Sequence, residues 1–213
     1  MDNPRSKQWL YWLLVPLALL LLVPCVVLLN TGELTHQAYW QGQLPLFLAI
    51  NGWATSLPAG FLYNITLMGD ASILLPVAML ALYKCPKTIG ALVATLPIGA
   101  LLSSIGKKLL AMPRPGAVLE STEFHAIGEL LTGHSSLPSG HSLTYFAVGI
   151  ALLVTWRPIW RTGRDKLIGM AAILVLFDMC LSRVAVGAHW PLDLIVGASL
   201  GTMAGWAGAT IAI

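Results

Sequence analysis

Three segments of the chain carry residue types that can handle a phosphate group. In Lys107 to Pro115 (KKLLAMPRP), Pro113 and Pro115 end a helix and extend the residues before them, so Lys107 and Arg114 flank one turn of chain. Two cations so placed can grip an anion, and a Lys and an Arg at a helix end serve equally as a snorkelling pair in lipid headgroups. In Leu137 to Ser142 (LPSGHS), Ser139 can cap a helix whose first amides are unpaired, which makes an anion site. Gly140 lets a phosphate oxygen approach the backbone, and His141 follows as an acid able to protonate a leaving group. The same residues also read as a plain capped helix start. In Ser182 to Asp193 (SRVAVGAHWPLD), Arg183 is followed by His189 and, four residues on, Asp193. If Pro191 opens a helix, these two lie about one turn apart. A carboxylate that accepts the N–H of one imidazole nitrogen leaves the other nitrogen's lone pair exposed, as attack on phosphorus requires. A His–Asp pair that ties two helices together has the same spacing.

The elements that position these segments must be membrane helices. Of 213 residues, 57% are hydrophobic and 10% charged, and the mean hydropathy is +0.78. A soluble domain of this size cannot bury so much apolar surface. Trp9 to Leu29 runs without a charge, long enough to cross a hydrocarbon core of roughly 30 Å. Its length, and the lack of a small-x-small cleavage site after it, read as a retained first helix rather than a signal peptide. Pro16 and Pro24 are tolerated within it. Charge-poor runs at about 9–29, 66–83, 89–109, 141–156, 167–181 and 193–213 predict six spans in a single all-α domain covering 1–213. Arg5, Lys7, Lys84, Lys87, Arg157, Arg161, Arg164 and Lys166 then fall on one side, the cytoplasmic one by the charge rule. Lys107, Lys108, Arg114, Arg183 and all five histidines fall on the other, where topology does not favour cations. Residues 30–65 form an external excursion, either with an interfacial helix near Leu44 to Leu57 or as an apolar loop packed on the bundle. Cys25, Cys85 and Cys180 have no CxxC spacing and argue against zinc. No repeat, linker or basic stripe suited to nucleic acid is present.

Taken in order, K-x6-R-P at Lys107 to Pro115, P-S-G-H at Pro138 to His141 and S-R-x5-H-x3-D at Ser182 to Asp193 resemble the type 2 phosphatidic acid phosphatase superfamily. That superfamily includes bacterial lipid phosphatases, glucose-6-phosphatase and vanadium haloperoxidases. Every defining position is filled, over about half the chain. The resemblance implies a pocket in which Lys107, Arg114, Ser139, the Gly140 amide and Arg183 hold phosphate. His189 attacks, His141 protonates the departing oxygen and Asp193 orients His189. It implies no metal and no cofactor: fixed cations and backbone donors stabilise the charge spread over the equatorial oxygens of the transition state. The reaction should pass through a phosphohistidine, with His141 then acting as base toward water.

Around these residues, Lys108 reads as a headgroup contact, His36 as a surface residue, and Glu120, Glu123, His125, Glu129 and His134 as solvated loop polarity. Asp70, near the outer end of the second span, and Asp178, one turn before Ser182, read first as structurally satisfied carboxylates. Asp178 could also support the third motif from behind. The substrate reads as a lipid phosphate, with slight preference for undecaprenyl diphosphate over phosphatidate, phosphatidylglycerol phosphate or lipid A phosphates. Transfer between two lipids stays open, and so does the oligomeric state. The site should face the periplasm from a bacterial inner membrane. A small transporter would share the six spans and the intramembrane acids, without requiring this clustered Lys, Arg, Ser, Gly, His and Asp set.

Overall fold

The computed structural model describes residues 5–155 and 162–212, with the backbone alone for residues 5–12 and Ala81. Arg157, Arg161, the expected end of the fourth span at 156 and the last residue, 213, lie outside the described residues. Among the described residues ten helices follow one another: α1 (Arg5–Thr31), α2 (His36–Gln41), α3 (Leu44–Ala54), α4 (Ala59–Leu67), α5 (Ala71–Ala81), α6 (Pro86–Leu110), α7 (Pro115–Val118), α8 (Gly140–Thr155), α9 (Gly163–Ala185) and α10 (Pro191–Ala212). Among the described residues no strand occurs, as the all-α expectation requires.

The bundle is organised around α10, which packs along α8 and α6 and, less extensively, on α1 and α9. The reason is a stripe of small residues. Gly197, Gly201 and Gly205 recur every fourth position, on one face of the helix. A Cβ on Gly197 would lie 2.5 Å from the Ser139 carbonyl oxygen, and Cβ atoms on Gly201 and Gly205 would collide with the carbonyls of Leu143 and Ala147. The α8 backbone therefore sits directly on the α10 backbone, the kind of close approach that helices in lipid use where burial of apolar surface offers no driving force. Gly208 is packed in the same way against Thr95 and Ala91 of α6. The outer helices instead turn Leu21, Leu29, Leu80, Leu109, Leu174 and Phe177 outward. Such a continuous apolar surface matches lipid.

Among the described residues four helical segments, those containing α1, α6, α9 and α10, are long and apolar enough to cross a bilayer, and the α4–α5 pair would make a fifth. The second span expected at 66–83 needs correction. It crosses a break at Met68 to Asp70, where α4 and α5 meet with a bend of 67°. The bend has a local cause: Gly69 lies against the Tyr145 ring, leaving no room for a side chain, and Asp70 caps α5 by accepting the Ser72 amide at 2.8 Å. The fourth expected span, α8, has 16 residues, shorter than the roughly 20 that a lipid-facing helix needs. It is enclosed by protein, with Tyr145, Ala147, Val148, Ile150 and Ala151 all buried. The excursion at 30–65 is helical, and its interfacial-helix reading corresponds to α3, Leu44–Ala54.

Helix direction sorts the charges. Helix α6 begins beside Lys84 and Lys87 and carries Lys107 in its last turn, and α9 begins with Arg164 and Lys166 and carries Arg183 in its last turn. The two groups are thus a helix length apart, roughly 30 Å at 1.5 Å per residue. A Thr88–Thr155 hydroxyl contact of 3.3 Å joins the starts and ends of α6 and α8 at the far end.

Candidate active site

All three motif segments emerge at the same end of the bundle. Helix α6 stops at Ala111, whose left-handed backbone (φ 41°) turns the chain as its amide closes on the Lys107 carbonyl at 3.2 Å. Arg114 is then held by its own amide on the Gly133 carbonyl (3.0 Å) and by its guanidinium on the carbonyls of Ala188 (3.2 Å) and Ser135 (3.5 Å). Trp190, fully buried, donates its indole N–H to the Pro113 carbonyl at 2.8 Å. The first motif is thereby bonded to the third.

The second motif is seated between them. Pro138 fills the space left by Gly106, where a Cβ would lie 2.7 Å from the proline ring. The Ser139 amide donates to the Asp193 carbonyl at 3.1 Å, and the Ser139 hydroxyl accepts from the Ser142 amide (3.4 Å) and hydroxyl (3.0 Å). This is the expected cap at the start of α8, and it leaves the proton of the Ser139 hydroxyl free to donate. A Cβ on Gly140 would sit 3.5 Å from Lys107 Nζ, so the first open amides of α8 and the lysine ammonium share one spot. Positive charge and helix N-terminus add there.

The third motif turns at Gly187, whose φ of +78° and close approach to the Phe124 ring both require glycine. Pro191 opens α10, as its position suggested, and His189 Nδ1 lies 3.2 Å from Asp193 Oδ2. Asp193 is completely buried and saturated with donors. Its Oδ2 also accepts from Ser136 Oγ (2.5 Å) and the Trp190 amide (2.9 Å), and its Oδ1 accepts from Tyr39 Oη (2.6 Å). A carboxylate oxygen placed there accepts the N–H of Nδ1, which leaves the Nε2 lone pair of His189 unprotonated. Burial pushes the His189 imidazole down to about 4; Asp193 opposes this, and Arg114 and Arg183 add to it. The ring is therefore neutral at neutral pH.

Arg183 ends α9, buried, with Nη1 donating to Thr66 Oγ1 at 2.8 Å. Its Nε is buried and has no hydrogen-bond partner among the described residues. An unpaired buried donor is costly, and an anion in the cup would satisfy it. Arg183, Arg114, His189 and Asp70 all act electrostatically on His141. Every site residue singled out in the sequence thus converges on one region: Lys107, Arg114, Ser139, Gly140, His141, Arg183, His189 and Asp193.

Sequence spacing did not reveal the supporting residues. Tyr39 comes from α2, within the excursion, and burial together with Asp193 raises its hydroxyl well above the usual range, so it remains a donor. Gln43 accepts the Leu192 amide at 2.7 Å, and Asn51 bonds the His125 amide and the carbonyls of His125 and Ala185. Ser136 lies two residues before the second motif and Thr66 more than one hundred before Arg183, with no periodic signal for either. Thr66, which contacts the Ser182 hydroxyl at 3.2 Å, fills the supporting place considered for Asp178, whose side chain lies on the exposed face of α9. His36, Lys108, Glu120, Glu123, His125, Glu129 and His134 are exposed, as a headgroup and solvent role implies. Among the described residues, no three His, Cys, Asp or Glu side chains converge as metal ligands.

Comparison with known proteins agrees with this geometry. Residues 88–212 match the PAP2 superfamily. The chain is 30% identical over 201 residues to an undecaprenyl-diphosphatase of Sulfolobus acidocaldarius, covering 92% of this chain and 88% of that protein. It is 29% identical over 103 residues to the lipid A 1-diphosphate synthase of Escherichia coli, covering 46% and 40%. Its fold resembles the crystal structures of Aquifex aeolicus LpxE (TM-score 0.61, 23% identity, 79% and 94% covered) and of a transmembrane PAP2-type phosphatidylglycerolphosphate phosphatase from Bacillus subtilis (TM-score 0.63, 20% identity, 92% and 94% covered). With its apolar helices and the three motifs joined at one end of them, the chain belongs to the PAP2 superfamily, in its branch of membrane lipid phosphatases.

Proposed function

We propose that the protein hydrolyses a lipid phosphate without a metal, through a phosphohistidine, at the outer end of a six-span bundle. The observation that carries this reading is the Tyr39, Ser136 and Trp190 clamp on Asp193, which leaves the His189 Nε2 lone pair as the free nucleophile beside three cations. In the first step Nε2 bonds to the terminal phosphorus, the bond from that phosphorus to the leaving oxygen breaks (the lipid alcohol's oxygen in a monoester, the bridging oxygen that stays with the lipid phosphate in a diphosphate), and His141 gives that oxygen its proton. In the second step water attacks the phosphohistidine, His141 takes the water's proton, and inorganic phosphate leaves with His189 restored. Lys107, Arg114 and Arg183, with the Ser139 hydroxyl and Gly140 amide, neutralise the equatorial oxygens in both steps.

Six spans require α8 to count as one and α4–α5 as another. Lys84, Lys87, Arg164 and Lys166 at the far end support a cytoplasmic position for that end, hence a periplasmic site in a bacterial inner membrane. Undecaprenyl diphosphate is the favoured substrate, supported by the likeness to the Sulfolobus protein over nearly the whole chain. The Escherichia coli relative supports a second reading, in which a lipid phosphate replaces water as acceptor of the phosphoryl group. Phosphatidate and phosphatidylglycerol phosphate complete the candidates.

The test is phosphate release by purified protein in chelator from undecaprenyl diphosphate, phosphatidylglycerol phosphate, phosphatidate and lipid A, with and without vanadate. Release should be inhibited by vanadate and fall at least about 10³-fold in His189→Ala. Full activity of that variant on the best substrate rules out the nucleophile, and flux in liposomes without phosphate release would indicate a transporter instead.

A further inference from the structure

The charges that face His141 are unequal in number. Arg183 from α9, Arg114 from the α6–α7 turn and His189 from the α9–α10 turn act on it, and Lys107 Nζ of α6 sits beside the adjoining Gly140. Burial first, and then Arg183, His189 and Arg114, disfavour a proton on the imidazole, yet the first step needs one there. Asp193 offers little relief, since its two oxygens are occupied by four donors. The remaining carboxylate in reach is Asp70, at the break between α4 and α5.

The break is pinned in place. His141 and Tyr145 lie one turn apart on the same face of α8. The Tyr145 hydroxyl donates to the carbonyls of Ile65 (2.7 Å) and Thr66 (3.3 Å), and Gly69 lies flat against its ring. Thr66 is bonded in turn to Arg183. Asp70 follows Gly69 directly, and Asp70 and His141 line one cavity of about 290 Å³ between α5, α6 and α8, walled below by Leu75, Leu96 and Val148. Asp70 Oδ1 accepts from the Ser72 amide (2.8 Å) and hydroxyl (2.6 Å), which favours the ionised carboxylate. Its Oδ2 has no hydrogen-bond donor among the described residues.

We infer that Asp70 is a positioning residue for the general acid: its carboxylate, held on the wall of the cavity that His141 also lines, keeps the imidazole protonated amid three fixed cations until the leaving oxygen takes the proton. Asp70 itself neither gains nor loses a proton. The inference rests on the proposed role of His141, so its test separates the two.

Asp70→Asn and Asp70→Ser both retain a capping side chain for α5 while removing the charge. The measurement is kcat/KM against pH for the purified full chain, on a lipid phosphate monoester such as phosphatidate, whose leaving alkoxide needs a proton, and on p-nitrophenyl phosphate, whose leaving group needs none. Loss of a neighbouring negative charge destabilises imidazolium, so the basic limb on the lipid should move about 0.5 to 1 unit toward lower pH in both variants. Activity on the lipid above neutrality should fall roughly three- to tenfold, while p-nitrophenyl phosphate changes less than about twofold. An unmoved limb, or an equal loss on both substrates at every pH, overturns the role of Asp70. In a parallel His141→Ala variant, a lipid profile that keeps its basic limb overturns the role of His141 instead.

Discussion

The two histidines of the cup live in opposite surroundings. His189 is 2% exposed, and the carboxylate behind it is fully buried and bonded by four donors from α2, from the loop before α8 and from the α9–α10 turn. His141 is half-buried on the wall of a cavity, with charges around it and no hydrogen bond to its ring among the described residues. The contrast fits the demands of the chemistry. A nucleophile must be held in one tautomer and one orientation before substrate arrives, which a saturated network does without reorganisation. An acid must meet a leaving group that varies with the lipid, and an open wall leaves room for it.

Three experiments bear on this contrast. The largest effect is expected for His141→Ala, about 10² to 10⁴-fold on a lipid ester and far less on p-nitrophenyl phosphate, since general acid catalysis matters only when the leaving oxygen needs a proton. Equal losses on both substrates would make His141 part of the binding cup and remove the contrast. Asp193→Asn comes next, with a loss of roughly 10- to 100-fold in kcat at unchanged phosphate binding. It also carries a pH signature. Burial holds His189 down to about 4, so the nucleophile is neutral above that pH and the acid limb of kcat/KM should lie near it. Because Asp193 favours the protonated ring, its removal should move that limb still lower; a limb that rises contradicts the assignment. The smallest effect is expected for Tyr39→Phe, which deletes one of four donors on Asp193 and should cost about 1 kcal/mol, or roughly fivefold in rate. A loss as large as that of Asp193→Asn would mean that α2 itself shapes the cup.

The supporting shell also explains why α2 and α3 exist. Residues 30–65 read in the sequence as an external excursion, either an interfacial helix or a packed apolar loop, and Tyr39, Gln43 and Asn51 from these helices bond Asp193, the Leu192 amide and the end of α9. Trp40 and Phe47 pack on Trp190, with ring centroids 6.1 and 4.9 Å apart. The excursion forms one wall of the pocket around His189 and Asp193.

The amino-acid sequence alone determined that the chain is helical and membrane-bound, because hydropathy acts over short windows, and it determined the eight residues of the cup, because each motif is a local run with its own turn chemistry. It also held the information for pairing α8 with α10, in the glycines at 197, 201 and 205, although their meaning depends on which backbone they meet. Tertiary structure decided the rest. The bend at Gly69 arises because the Tyr145 ring occupies its flank. The distant donors on Asp193 come from positions 39 and 136, joining the local His189 and Trp190. Such long-range hydrogen bonds leave no periodicity in the chain, since their partners are chosen by packing in space.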